Sequence, residues 1–464
     1  MTSDSPASTD PDGRRTIMWF RRDLRLRDNP ALLEACAEGA VLPLFVLDPH
    51  LWGPAGPSRR AYLAASLRAL DAGLRALGAP GLQVVRGDPA RRVPLAARAA
   101  GAARVHVAAD FGPYGRRRDE AVERALGEAG VELVRTGSPY AVPPGEVVNG
   151  SGDHYRVFTP FYRAWQQQER PDPVPAPRHG AWVALEADTT EIPDPPLPPG
   201  LELPEAGEDA TRDRWADFLE HRVDDYDEER NLPGTDGTSR MSVHLKYGEV
   251  HPRQLLADLA RRRSTGAATY AKELGWREFY ADVLWHQPRT AREYYKTQYA
   301  NLAYDEPGEL FAAWQEGRTG FPVVDAGMRQ LRSVGWMHNR VRMITASFLV
   351  KDLHVEWQHG ARHFLHWLAD GDLASNNHGW QWVAGSGTDP SPFFRVFNPT
   401  GQGRKFDPDG SYVRRWVAEL ADPEQVPDPH EPSSEVRAAV GYPEPVVDHA
   451  EERREALARW ERIR

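Results

Sequence analysis

Four short apolar runs, Thr16 to Phe20, Val41 to Leu47, Val105 to Ala109 and Val131 to Val134, punctuate the first 140 positions. Between them, Ser58 to Leu77 and Tyr114 to Ala129 repeat apolar residues every three or four positions, the period of a helix with one buried face. Strands alternating with such helices build a parallel sheet covered on its faces, so residues 15–140 are expected to form an α/β domain. The first run leads into Arg21-Arg22-Asp23-Leu24 where a dinucleotide-binding fold would carry GxGxxG. The expectation is therefore a Rossmann-like sheet without that phosphate fingerprint.

From about Arg212 the pattern changes to a 3.6-residue period throughout, in Trp215, Phe218 and Leu219, in Leu255, Leu256 and Leu259, and in Trp276, Phe279, Val283 and Leu284. Residues 211–464 are expected to be a mainly α-helical domain. Ten of the chain's 40 prolines fall between 171 and 204, where neither helix nor sheet can propagate, and 141–210 reads as a Pro-rich interdomain connector. Residues 1–14, rich in Ser, Thr, Asp and Pro, are expected to be a disordered tail. That tail has no apolar signal-peptide core, and no apolar run approaches the ~18 residues of a spanning helix, so a cytoplasmic protein that meets no membrane is expected.

Charge refines this picture. The net charge is −10, yet the three segments 1–140, 141–210 and 211–464 carry +4, −8 and −6. An acidic body argues against a non-specific nucleic-acid coat but is compatible with a local basic face. Cys36 is the only cysteine, which excludes an intrachain disulfide, a Cys-based zinc site and a CxxC redox pair. Eight of the fifteen Trp lie between 276 and 382, a cluster that core packing alone can explain.

Three stretches are dense in polar chemistry, although ion pairs, satisfied core polars and packed aromatics explain each of them taken singly. Asp370-Gly-Asp372-Leu-Ala-Ser-Asn376-Asn377-His378-Gly-Trp380-Gln-Trp382 crowds two carboxylates, two amides and two indoles around a turn. Asp-x-Asp with no clear further ligands does not make a cation site, and no metal is expected. Gly335-Trp-Met-His-Asn339-Arg340-Val-Arg342-Met343 places Asn339 and Met343 on one helix face, and Glu273-Leu-Gly-Trp276-Arg277-Glu-Phe-Tyr280 combines acid, indole and guanidinium. Together with FRRDLRLRDN (Phe20 to Asn29) and GTSR (Gly237 to Arg240), these stretches resemble the photolyase/cryptochrome family in order and identity, from Phe20 to about Trp416. Within it the chain looks like a bacterial class I cyclobutane pyrimidine dimer photolyase.

The resemblance implies light-dependent repair of cyclobutane pyrimidine dimers in DNA, with a cryptochrome-like photosensor as the alternative. It implies FAD in the helical domain, touched by Tyr226, Thr238, Ser239, Arg240, Met241, Ser242, Arg342, Asp370, Asp372 and Asn376. A hydroxyl-bearing turn suits a pyrophosphate, and an Arg342–Asp370 pair suits the flavin edge. The flipped dimer would meet Glu273, Trp276, Asn339, Met343 and Trp382, with Asn376 beside the flavin. At positions 339 and 343 the relatives that repair (6-4) products carry two His. DNA would be held by Arg230, Arg277, Arg340, Arg395 and Gln402 together with Glu273, Trp276 and Asn339. Electrons would reach the flavin through Trp380 and Trp357, with Tyr304 at the third station where a full triad has Trp. Asp48, Arg59, Asp110 and Arg118 match contacts to an antenna chromophore, 8-hydroxy-5-deazaflavin, for which two guanidiniums give a physical reason; methenyltetrahydrofolate is the other candidate. The partner is dimer-containing DNA, with no obligate protein partner and a monomeric state expected.

Overall fold

The computed structural model describes residues 13–388 and 394–464. Strands β1 (Arg15–Phe20), β2 (Ala40–Leu47), β3 (Gln83–Arg86), β4 (Arg104–Val107) and β5 (Glu132–Arg135) form one parallel sheet in the order β3-β2-β1-β4-β5. Every residue of β2, and all of β1 but Arg15, is buried, as expected of strands covered on both faces. The sequence pattern missed β3, which offers only Val84 and Val85 between the polar Gln83 and Arg86. It also missed the helices Pro30–Glu38 and Pro89–Ala100. Their starts were written locally, since Asn29 and Asp88 cap the first turn with their side chains and proline follows each at once. Residues 1–12 of the expected tail lie outside the described residues. Arg14 is ordered against the sheet, its carbonyl accepting from Ala40 N.

The proline-rich segment forms no helix and no named strand, but it is not a free linker. Val41 N donates to Ala181 O (2.8 Å), Val183 N to Val41 O (2.9 Å) and Thr190 N to Val84 O (2.8 Å), so the segment runs along the edge of the sheet. The earlier part of the connector folds into a helix, Phe158–Gln166, whose Phe158, Phe161 and Trp165 pack with Phe279 and Val283 of the helical domain.

The helical domain is centred on five helices, Thr265–His286, Pro322–Val334, Asn339–Lys351, Trp357–Trp367 and Leu373–Ala384. Its largest core cluster includes Trp314, Phe348, Trp357 and Trp380. The arginine-rich loop after β1 docks the two domains. Leu24 N donates to Tyr247 O (3.1 Å), Arg25 Nη1 to Gly248 O (3.0 Å), and Asp28 accepts from Arg253 Nε (2.7 Å). Gly248 has φ +69°, and a Cβ there would fall 1.9 Å from the carbonyl oxygen of Arg22, so this crossing tolerates only glycine. No helix among the described residues is long and apolar enough to cross a membrane.

Candidate active site

A cavity of about 540 Å³ opens inside the helical domain. Its lining unites residues as much as 157 positions apart, from Tyr226 to Val383. One wall is the Thr265–His286 helix, on which Glu273, Trp276, Arg277 and Tyr280 follow at i, i+3, i+4 and i+7 and so share a face. The opposite face of that helix is committed to the connector. Glu278 accepts from Val142 N (3.0 Å), and Asp282 accepts from Gly145 N (2.8 Å). The helix therefore fixes the cavity wall through buried charge on its back, which burial pushes upward in pKa at both Glu278 and Asp282.

Every residue expected to touch the flavin lines this cavity: Tyr226, Thr238, Ser239, Arg240, Met241, Ser242, Arg342, Asp370, Asp372 and Asn376. The Thr238–Ser242 turn is held in shape by Ser239, whose hydroxyl bonds to Tyr270 Oη (2.7 Å) and accepts from Met241 N (3.2 Å). Arg240 sits at φ +54° in this turn, a conformation that a non-glycine residue adopts at some cost, with its guanidinium 4.9 Å above the Trp336 ring. Across the cavity Arg342 donates to Asp370 Oδ2 (2.8 Å) and to Met337 O (2.8 Å). Asp372 pairs with Arg22 of the N-terminal domain (2.9 Å) and caps Leu373–Ala384 by accepting from Ser375 N (3.1 Å). Burial works against its charge, yet Arg22, Lys246 and Arg277 hold its carboxyl below the usual carboxylate range. Both acids of Asp-x-Asp are thus engaged by cations of the protein itself.

The cavity suits a large polar ligand with an aromatic part. Buried polar atoms at its edge have no partner within the protein, among them Asp370 Oδ1, Arg240 Nε and Arg22 Nε. Lys246 also lines it, and burial, reinforced by Arg22, pulls its ammonium down to about 7. Such a lysine is a ready partner for phosphate. Sequence reasoning missed Lys246, Tyr270, Trp336 and Arg22 as part of the site. Of these, Arg22 and Trp336 lay in stretches named above, FRRDLRLRDN and Gly335 to Met343, without being singled out themselves.

The residues expected to meet the dimer, Glu273, Trp276, Asn339, Met343 and Trp382, line the same cavity. Trp276 stacks on Phe158 from the connector helix (centroids 3.6 Å, 9°), so one face of the indole is already covered. Glu273 pairs with Arg230 (2.7 Å); burial pushes its carboxyl up while the guanidinium opposes the shift. Asn376 donates both Nδ2 hydrogens, to Ala361 O (3.2 Å) and Asn377 Oδ1 (2.8 Å), and retains only its carbonyl oxygen for a ligand.

Burial, together with repulsion from Arg230 and Arg395, lowers the pKa of Arg340, which marks a converging cationic group. Arg395 is exposed, and Gln402 is half-buried a few residues on, in the Pro399–Phe406 helix. Arg277 departs from the expectation. Its guanidinium donates to Pro139 O (3.1 Å) and Leu245 O (3.5 Å) and lies over Tyr140, so it clamps the domain junction instead of facing outward for phosphate.

Trp380 and Trp357 are both buried. Tyr304 is not the first ring beyond them: Trp357 meets Tyr294 (6.1 Å, 81°), and Tyr304 stacks on Tyr294 (6.3 Å, 14°). The four antenna candidates also divide. Asp110 pairs with Arg118 (3.0 Å), Tyr114 donates to Asp48, and Arg118 lies over the Tyr114 ring. Arg59 instead reaches toward the helical domain, where its carbonyl accepts from Tyr247 (3.1 Å) and its side chain adjoins Gly371. Arg118 also pairs with Asp119 (2.8 Å), so two carboxylates already balance its charge.

Comparison with known proteins bears on this geometry. Residues 16–178 match the DNA photolyase family model and residues 270–462 match the FAD binding domain of DNA photolyase. The chain is 42% identical over 468 residues to the deoxyribodipyrimidine photo-lyase of Streptomyces griseus, covering 97% of this chain and 98% of that one. It is 38% identical to the Escherichia coli K12 enzyme of the same name, over 97% and 98% of the two chains. Among solved structures, the bacterial class III photolyase from Agrobacterium tumefaciens superposes with a TM-score of 0.90 at 34% identity, over 99% of both chains. The Synechocystis cryptochrome superposes at 0.86 with 27% identity, covering 96% of this chain and 99% of that one. A parallel-sheet domain docked on a helical FAD-binding domain, with full-length relatives at this level of identity, means that the chain belongs to the DNA photolyase family.

Proposed function

We propose that this protein is a deoxyribodipyrimidine photolyase, a carbon–carbon lyase that uses light to split cyclobutane pyrimidine dimers in DNA. The observation that carries the reading is a single cavity with two kinds of wall. A polar wall from Thr238 to Ser242 and from Arg342 to Asp372 fits FAD, and an aromatic wall with Glu273 and Asn339 fits two flipped bases. Bound reduced FAD, excited by blue light, supplies the electron that opens the cyclobutane ring and receives it back.

The chain's own residues supply binding and orientation. Trp276 and Trp382 offer ring faces to the extruded bases, worth about 1–3 kcal/mol per base against an unstacking cost of a few kcal/mol. Glu273 and Asn339 offer hydrogen bonds to the base edges, and Met343 fills the space between them. Asn376, with only its carbonyl oxygen available, accepts from an N–H, which a reduced flavin carries at N5. Arg230, Arg340 and Arg395, with Gln402, supply phosphate contacts at the mouth.

Dimer chemistry is favoured over the (6-4) product because that reaction needs a histidine acid. The one histidine beside Asn339, His338, accepts from Arg340 N as a helix cap (3.2 Å), and burial beside Arg340 and Arg342 pulls it down to about 3. It is neutral at working pH and supplies no imidazolium acid. Illumination of reduced holoprotein with dimer-containing DNA is expected to restore thymine, while (6-4) DNA stays unchanged. Failure on the first substrate, or turnover of the second, refutes the reading. A photosensor would bind flavin and leave both untouched.

An antenna chromophore on the N-terminal domain, 8-hydroxy-5-deazaflavin in preference to methenyltetrahydrofolate, belongs to the same proposal, with Asp48, Asp110 and Arg118 grouped around Tyr114 as its support. Expression in a deazaflavin-producing host is expected to add an absorption band distinct from flavin, and Asp48→Ala to remove it. A retained band sinks this assignment. The protein is proposed to act as a cytoplasmic monomer without an obligate protein partner; sizing of the holoprotein checks its oligomeric state.

A further inference from the structure

We propose that Tyr294, hydrogen-bonded to the Glu356 carboxylate, is the terminal electron donor of the aromatic chain that begins at Trp380, with Glu356 taking the phenolic proton. The inference rests on the flavin reading above and on the relay through Trp380 and Trp357 that the resemblance implies; Tyr294 and Glu356 themselves lie outside the cavity.

The chain of rings is built into the packing. Trp380 lines the cavity. The Trp357–Trp367 helix lies directly against it at Gly360, where a Cβ would fall 2.2 Å from Trp380 Cη2, so no side chain separates the two elements. Trp357, one turn earlier, is fully buried and its Nε1 has no hydrogen-bond partner. An oxidised indole there has nowhere to lose its proton and must pass the deficit on. Its neighbour is the Tyr294 ring at 6.1 Å.

A phenol gives up an electron readily only when a base takes its proton. Tyr294 Oη donates to Glu356 Oε1 at 2.7 Å, and Glu356 is half-buried, so solvent can later collect the proton. Tyr304 stacks on the same ring, but the carboxylate hydrogen bond belongs to Tyr294. Trp380 also meets Phe364, at 4.9 Å, and Trp314, at 6.1 Å and fully buried with its N–H committed to Thr345 O (3.1 Å). Trp314 leads on to Phe311 and Phe364, which are too hard to oxidise.

With a bound oxidised flavin as the light-driven electron acceptor, Trp380 would give up one electron, Trp357 would refill Trp380, and Tyr294 would refill Trp357. In the last transfer the Tyr294 O–H bond breaks and an O–H bond forms on Glu356. The products are a neutral tyrosyl radical, a protonated carboxyl and two restored indoles, with the transferred electron on the flavin.

Flash photolysis of the oxidised holoprotein, followed by transient absorption and electron paramagnetic resonance, tests this. The intact protein is expected to show a tryptophan radical succeeded by a tyrosyl radical whose rise slows in D2O. Tyr294→Phe is expected to abolish the tyrosyl signal and leave a tryptophan radical that recombines, and Tyr304→Phe to keep the signal. Glu356→Gln, which preserves shape, is expected to slow the rise by about 10²-fold, the scale of a missing proton acceptor. Flavin absorbance of each variant reports that it is folded and loaded. A tyrosyl radical that survives Tyr294→Phe, vanishes in Tyr304→Phe, forms at full rate in Glu356→Gln or is missing from the intact protein overturns the proposal. All four outcomes leave the flavin reading standing; a protein that binds no flavin removes both.

Discussion

Gly360→Ala is expected to damage the protein where most glycine-to-alanine changes in a helix help it. Gly360 lies inside the Trp357–Trp367 helix, and on propensity alone alanine there is worth about 1 kcal/mol. The new Cβ, however, would sit 2.2 Å from Trp380 Cη2 and 2.6 Å from Leu349 Cδ2. Carbon atoms settle at roughly 3.5 Å or beyond, so the indole has to retreat by about 1.3 Å. Phe364 (4.9 Å) and Trp314 (6.1 Å) pack on other edges of that ring, which leaves the cavity as the side toward which it can move. Overpacking of this kind costs ~1–3 kcal/mol, so after the gain in propensity the net destabilisation is up to about 2 kcal/mol, worth up to roughly 2 °C in Tm for a chain of this length. The displaced indole also invades the proposed flavin site, so flavin content is expected to fall with it. Gly127→Ala is the control. It lies in the Pro113–Glu128 helix with nothing within 4 Å of its Cβ position, and is expected to be neutral or stabilising. Thermal unfolding and flavin absorbance of the two variants decide the matter. A Gly360→Ala protein as stable and as yellow as the Gly127→Ala protein refutes the packing argument.

Four further outcomes follow from the charges. Arg340→Ala and Arg395→Ala are each expected to flatten the salt dependence of damaged-DNA binding by up to ~0.9 in log–log slope for each phosphate the side chain neutralises. Arg277→Ala, whose donors serve Pro139 and Leu245, is expected to leave that slope alone and lower thermal stability; binding titrations at several salt concentrations, with thermal unfolding alongside, check both. Lys246 is lowered to about 7 in the folded protein, below its unfolded value, so folding penalises its protonated form and the penalty is relieved as pH rises above 7. Flavin-stripped protein is therefore expected to gain stability from pH 7 toward pH 10, and Lys246→Met to flatten that gain in denaturant unfolding; a parallel profile for the two proteins contradicts it. Arg230→Ala removes the cation that opposes the upward shift of Glu273, so the pH profile of dimer-DNA binding is expected to move to higher pH, and an unmoved profile shows that Glu273 does not titrate in the bound state.

The sequence by itself determined which residues would meet. Apolar runs and helical periods announced a parallel sheet followed by a helical domain, because burial on two faces or one leaves a period in the chain. The motifs around Asp370, Asn339 and Glu273 named a cavity lining that the structure brings together in full. The residues expected to meet flavin and dimer were named through the family resemblance that these motifs carry, and they line one cavity. What those side chains are committed to was decided only by the fold. Arg277 sat in a legible motif, yet two backbone carbonyls 138 and 32 residues away claim its guanidinium. Arg118 was expected to serve an anion and is balanced by Asp110 and Asp119, while Arg59, on the N-terminal domain, is turned toward the helical domain. Phe158 lay in a segment that composition marked as connector, and tertiary packing laid it flat on Trp276. Tyr294 carried no signal of its own, since a tyrosine becomes an electron donor only through the ring beside it and the carboxylate at its hydroxyl. Those neighbours come from residues 357 and 356, more than sixty positions downstream, and nothing local to Tyr294 encodes them.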